Sequence, residues 1–426
     1  MTDLVAARGM TGRAFWTSAA VPMVALWASG APTPVYPLYG TAWHLAPSAT
    51  TAIFAVYPLA LVIVLAVFGD LSDVIGRRRS MLAGLFAIAC GAFLFAIAPS
   101  FAVVLAGRLL MGVGVGLSLS PATAAMVDHA GPGASSLASS VTTAATALGL
   151  TLATVVGGAL VQYGPSPLHA SYWVLLGVVL FVAFAVSRLP EDRDPRAGRW
   201  RPHVLRLPGK LIGVVAAASS CVAAAYAFGA LELSLGADIG ERLVGTSNAF
   251  VVGLIVSVSS VVIGVVALLA GRLSPVIGGP IGGLASLAAT AILVAAGAAQ
   301  SLALFLAFAV LGGVGYSLLF GAGLAIVGRY SSERHRAATL STVYLIGYLL
   351  QGGIALGLGA EATSGGLPQA VAVAVPVVGG AGGLAVVLVL VFARPRQNPS
   401  QPAGPSTAPT LGSAGRDSAA GDARRR

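Results

Sequence analysis

Apolar residues run along this chain in long blocks, neither alternating nor confined to one helical stripe. The blocks fall near residues 15–39, 50–69, 80–98, 101–127, 136–162, 170–188, 209–235, 246–270, 280–299, 302–327, 338–360 and 368–393. Each is long enough to cross a hydrocarbon layer about 30 Å thick as a helix. A segment that is apolar all round has no wet face, and in lipid a helix satisfies all of its backbone groups internally. The pattern predicts an all-α integral membrane protein with twelve transmembrane helices.

The polar intervals divide these spans six and six. Residues 191–208 hold Glu191, Asp192, Arg193, Asp194, Arg199 and Arg201 with three prolines, too polar to cross a bilayer. They read as a cytoplasmic linker between a six-helix bundle at 1–190 and a second at 209–393. From 394 to 426 the chain turns to Pro, Ser, Gly and Arg, which cannot bury enough surface to fold and predicts a disordered tail.

Charge then sets orientation. Of the 24 Lys and Arg residues, 22 lie before the first span, after the last, or in intervals that fall on that same side. Only Arg242 lies on the other side and only Arg108 within a span. Positive residues stay inside, so both termini are expected in the cytoplasm of a multi-pass plasma-membrane protein. Arg8 and Arg13 precede the first apolar run as in a secretory leader. That run continues through Pro32-Thr33-Pro34 without a convincing cleavage site, and reads as a retained, kinked first helix.

Composition narrows the class. Charged residues make up 9% of the chain and mean hydropathy is +0.90, against about 25% charged in soluble domains. Cys90 and Cys221 stand alone in apolar segments, and His44, His129, His169, His203 and His335 scatter through polar intervals. No metal site, disulfide, cofactor or catalytic cluster is predicted, and the chain does not read as an enzyme or a nucleic-acid binder. A phosphate-cradling G-x-x-x-x-G-K is missing, which argues against ATP-driven work by this chain.

The interval Gly69-Asp70-Leu71-Ser72-Asp73-Val74-Ile75-Gly76-Arg77-Arg78-Arg79 is the densest polar feature between two spans. It resembles the loop between helices 2 and 3 of the major facilitator superfamily, G-x-x-x-D-x-x-G-R-[RK], through Gly69, Asp73, Gly76, Arg77 and Arg78. Six of its first eight residues recur at Gly271-Arg272-Leu273-Ser274-Pro275-Val276-Ile277-Gly278, and Gly112-Val113-Gly114 recurs as Gly313-Val314-Gly315. The resemblance implies a bacterial transporter of the drug or metabolite efflux type, with two pseudo-symmetric six-helix halves and a substrate site between them. It further implies that Asp73 caps the start of helix 11 near Ala337, where the helix dipole favours an anion. Arg77 would pair with Asp128 when the cytoplasmic side is shut. Alternatively, Arg77, Arg78 and Arg79 serve only to fix topology.

Within the spans, Arg108 opens Arg108-Leu109-Leu110-Met111-Gly112-Val113-Gly114, similar to the superfamily's helix 4 pattern R-x-x-x-G-x-G. A charge at that depth costs about 2.5–3.5 kcal/mol and takes a partner. The resemblance implies proton coupling or anion binding, while pairing with backbone carbonyls is the structural alternative. Glu232 is either a buried proton carrier or an outer headgroup residue beside Asp238 and Glu241.

Helix 5 carries Gly149, Gly157 and Gly158 in a pattern similar to the antiporter signature G-x-x-x-G-P-x-x-G-G, with Ala153 and Thr154 in place of its central Gly-Pro. Tyr344, Tyr348 and Gln351 share a helix face; with Tyr36, Tyr57, Tyr226 and Asn248 they are candidates to line an amphipathic cavity. The whole predicts a monomeric secondary transporter working by alternating access, with a small-molecule substrate, protons and the bilayer as partners. Proton-coupled export of a hydrophobic compound is the preferred reading; proton-coupled uptake of a sugar or organic acid is the other.

Overall fold

A computed structural model describes residues 2–45, 47–69, 71–130, 135–190, 212–271, 273–330 and 333–392. The expected linker at 191–208 and tail at 394–426 lie outside these. Helices account for nearly all of the described residues, with no strand among them.

The twelve crossings are α1 (Thr2–Gly30), α2 (Pro47–Phe68), α3 (Arg77–Ala96), α4 (Phe101–Ala130), α5 (Ser135–Tyr163), α6 (Ala170–Ser187), α7 (Ile212–Val244), α8 (Ala249–Ala270), α9 (Pro275–Ala299), α10 (Leu302–Tyr330), α11 (333–365) and α12 (367–392). The last two run almost end to end, broken where Gly366 takes φ 77° and ψ 179°. Only glycine adopts that conformation without strain. Twelve crossings bring the start of α1 and the end of α12 to one face, called the terminal face below. The α2–α3 and α8–α9 connections lie on the same side.

Two departures from the apolar blocks shape the site. The first block is broken: α1 ends at Gly30 and the chain continues as a 3₁₀ turn (Thr33–Val35) and a short helix (Tyr36–Ala42). Pro32 and Pro34 lack the N–H groups that would continue the ladder. The seventh runs past its predicted end at 235 to Val244, so Glu232, Asp238 and Glu241 ride on one helix. The acids end the hydropathy window, but the helical backbone continues through them.

The described residues form one compact body, with the halves meeting along α2 against α11 and α5 against α8. The outer helices turn apolar side chains outward, as at Phe181 on α6, Leu269 on α8, Leu284 on α9 and Val391 on α12. A surface of this kind suits hydrocarbon. The inward stripes are rich in Gly, Ala and Ser, which let backbones approach where lipid gives helices no hydrophobic reason to associate.

Candidate functional site

Arg108 is fully buried on α4 and reaches two neighbouring helices. Its Nη1 donates to the carbonyls of Ser29 (2.8 Å) and Ala28 (3.3 Å), and its Nε to that of Ile53 (3.2 Å). Tyr57 and Phe54 place rings 4.6 and 5.9 Å from the guanidinium carbon. The choice of acceptors follows from the break in α1, because Pro32 cannot donate to Ala28 as helical N–H(i)→O(i−4) geometry requires. Arg108 supplies that donor from the side. Nη2 makes no hydrogen bond, and no carboxylate among the described residues pairs with the group. The Tyr36 hydroxyl lies beside it without hydrogen-bond geometry.

Below the break, both halves wall a small central cavity of about 30 Å³. Ser29, Leu150 and Thr154 come from the first half; Tyr226, Glu232, Ser259, Tyr316, Tyr348 and Gln351 come from the second. Glu232 is 7% exposed and is the one buried carboxylate among the described residues. It therefore belongs to this cavity, not to the headgroup zone that its position late in the span allowed. Ser259 flanks it. The rings of Tyr226 and Tyr348 are 4.7 Å apart, and those of Tyr226 and Tyr316 are 6.3 Å apart. Tyr348 also meets Tyr57 edge-on at 6.4 Å across the junction of the halves.

A second cavity of about 310 Å³ opens toward the opposite face, lined by Pro34, Pro37, Gln162, Asp238 and Glu241 among others. Thr154 and Val256 line both spaces. A thin wall thus separates the acidic mouth from the buried acid.

Not every candidate reaches a cavity. Asn248 caps α8, its side-chain oxygen accepting from Phe250 N (3.0 Å) and Val251 N (3.1 Å). Tyr344 is buried against Phe320 and does not line the central space. Gly149, Gly157 and Gly158 are close-packing positions. A Cβ on them would meet the Met23 carbonyl of α1, the Pro34 ring and the Ala249 carbonyl of α8, respectively. Tyr316, Ser259 and Ser29 are among the lining residues that the sequence did not single out. Tyr316 directly follows the repeated Gly313-Val314-Gly315, a bulky amphipathic ring in a glycine-rich stretch.

At the terminal face the loop breaks where Gly76 takes φ 93° and ends the turn Leu71–Ile75 before α3. Arg77 then forms an ion pair with Asp128 at the end of α4. Arg78 follows in the first turn of α3, half-buried. Asp73 lies in the short helical turn; its side chain and that of Ala337 are outside the described ones. Across the halves the Ser341 hydroxyl of α11 donates to the Gly69 carbonyl (3.0 Å). In the second half Gly271 abuts Ser140 of α5 so closely that a Cβ there would overlap the hydroxyl. The spacing that relates Gly69 to Gly271 recurs, to within one residue, between Ser140 and Ser341, so the repeat extends to its partners.

A sequence profile described as "Major Facilitator Superfamily" matches residues 19–235 and 211–422. The chain belongs to this superfamily. Members are transporters, not enzymes, and the twelve-helix architecture follows from that membership. The chain is similar to the multidrug efflux pump LfrA of Mycolicibacterium smegmatis, 35% identical over 163 residues, which cover 37% of this chain and 31% of that protein. It is 28% identical over 128 residues to probable polyol transporter 6 of Arabidopsis thaliana, covering 29% of this chain and 25% of the relative. These matches span about a third or less of each relative's length. The crystal structure of the human organic anion transporter MFSD10 (TETRAN) shares the fold, with TM-score 0.70 and 19% identity over 89% of this chain and 99% of that one.

Proposed function

We propose that this superfamily member is a proton-coupled exporter of small, largely hydrophobic organic compounds, working by alternating access in the plasma membrane. In this reading it acts as a monomer with both termini in the cytoplasm. The observation that carries it is the position of Glu232: one buried carboxylate, walled by both halves, behind Thr154 and Val256 from the acidic mouth at Asp238 and Glu241. An ionised carboxylate in so dry a place needs a proton or another cation, so it is suited to take a proton from one side and release it to the other.

The tyrosine rings of the same cavity offer flat apolar contact with a few hydroxyl donors. Electrostatics refines the substrate: the cavity lining holds a carboxylate and no basic residue, and Arg108, although it donates to the carbonyl of the lining residue Ser29, does not itself line the space. A neutral or cationic compound fits that balance better than an anion. The likeness to a multidrug efflux pump supports export.

Proton-coupled uptake of a sugar or similar polyhydroxy compound is the second reading. The polyol transporters among the relatives favour it. The experiment that separates the two follows proton movement in acid-loaded inverted vesicles on addition of dyes, antibiotics, sugars and organic acids. Proton release that depends on a hydrophobic compound and is lost in Glu232→Gln supports export. Protons that move in the same direction as a polyol, entering the vesicles when it is added outside or leaving only when it is loaded inside, support uptake instead.

A further inference from the structure

The two halves repeat the glycine–serine contact at the terminal face but not its charges. In the first half Arg77 at the start of α3 meets Asp128 at the end of α4. The spacing that relates Gly112 to Gly313 takes Asp128 to Arg329, and that relating Gly76 to Gly278 takes Arg77 to Gly279. The second half has therefore replaced the cation of the pair by glycine and the anion by arginine. Arg329, in the last turn of α10, is exposed and has no ion pair with any described residue.

A cavity of about 480 Å³ lies beside Arg329, walled by small residues that include Gly271, Gly278 and Gly321 and by the polar side chains of Ser139, Ser140 and Thr143 from α5. It spans the junction of the halves. Leu273 lines it, and Leu269 and Ile277 close by in sequence are strongly exposed at 80% and 53%. A cavity of mixed apolar and hydroxyl lining, with one unpaired cation among its described lining residues and exposed apolar side chains close by in sequence, suits an amphipathic ligand whose anionic end goes in and whose chains stay out.

We propose that this cavity binds the phosphate headgroup of an anionic membrane lipid, which gives Arg329 the counter-charge that Asp128 gives Arg77. The phosphate oxygens accept from the Arg329 guanidinium and from hydroxyls of α5, while the acyl chains lie over Leu269 and Ile277. Because α5 belongs to the first half and α8, α9 and α10 to the second, the lipid ties the halves together beside the Gly271–Ser140 contact. A soluble phosphate ester shares the headgroup chemistry but cannot use the apolar rim.

The test needs no transported substrate. The melting temperature of the purified full-length protein in detergent is measured with added phosphatidylglycerol, with phosphatidylcholine, and with sn-glycerol 3-phosphate, since a ligand that binds only the folded state raises it. Phosphatidylglycerol is expected to raise the melting temperature by several degrees in the wild type, and phosphatidylcholine is not. Arg329→Gln should lose that shift; its exposed position leaves the fold undisturbed. In Gly278→Glu, where a Cβ meets nothing nearer than 3.9 Å, the new carboxylate should satisfy Arg329 within the chain and also remove the lipid response.

A shift with glycerol 3-phosphate equal to that with the lipid would assign the phosphate site to a soluble ester and overturn the lipid. A full shift surviving in Arg329→Gln, or none in the wild type, overturns the site altogether.

Discussion

Ser341 donates its hydroxyl to the carbonyl of Gly69 across 272 positions of sequence, at 3.0 Å. That bond joins the start of α11 to the end of α2, and its repeat partner brings Ser140 of α5 against Gly271 of α8. Both contacts require the bare backbone of glycine. An added methyl group at Gly69 or Gly271 overpacks the shut terminal face, at a cost of about 1–3 kcal/mol, and leaves the parted face unaffected. Gly69→Ala and Gly271→Ala should therefore open that face more often. In a background without Cys90 and Cys221, a cysteine introduced at Gly321 should react faster with an impermeant thiol reagent in either variant. Equal labelling rates would show that the contacts do not hold the face shut.

Glu232→Gln preserves shape and hydrogen-bonding capacity but cannot carry a proton between faces. Substrate-dependent proton release should vanish in this variant, while exchange of labelled substrate down its own gradient persists. The measurement pairs a pH-sensitive dye with labelled substrate in the same vesicles. Intact proton release would move the coupling away from Glu232.

Arg108→Lys keeps the charge and loses the fork that reaches both α1 and α2. If the guanidinium braces the break in α1, this variant should lose about 1–3 kcal/mol of stability and most of its transport. Thermal unfolding of the purified protein reads the first, and vesicle flux the second. A lysine variant with wild-type behaviour in both would reduce the role of Arg108 to its charge.

Asp128→Asn removes the partner of Arg77 at a partly exposed site, with side chains 26% and 55% accessible. Exposed pairs contribute about 1 kcal/mol or less, so transport should fall by no more than about tenfold. Asp73→Asn should impair transport more, with the amount of inserted protein unchanged on immunoblot, if Asp73 has the gating role that the resemblance of its loop implies. The reverse order would place the gate on the ion pair.

The twelve helices were legible because lipid tolerates few patterns: an uncharged run of sufficient length has one outcome. The repeat was legible for the same reason, since Gly69 and Gly271 stand at equivalent breaks. The partners Ser140 and Ser341 were not, because a lone serine in a membrane helix gives no sign of what it faces. Helix α7 outran its hydropathy block because a helix with a buried stripe carries acids such as Glu232 once the fold encloses them. Asn248 is an asparagine just before an apolar run, a capping position, but its polarity suits a cavity lining equally well. Neither did the sequence reveal that the proline break offers Arg108 its acceptors, since α1 and α4 meet only in the fold.

The central space beside Glu232 measures about 30 Å³, enough for a water molecule or two. On the proposed reading, this central space has room for a proton carried by Glu232 and none for a passenger. On that reading, a compound of drug size is admitted only by parting the helices and expelled by their return. Discrimination among passengers then rests on how far each can hold the helices apart, not on fit to a ready-made mould. An empty carrier that closes to so small a space would reset without a continuous path for solvent.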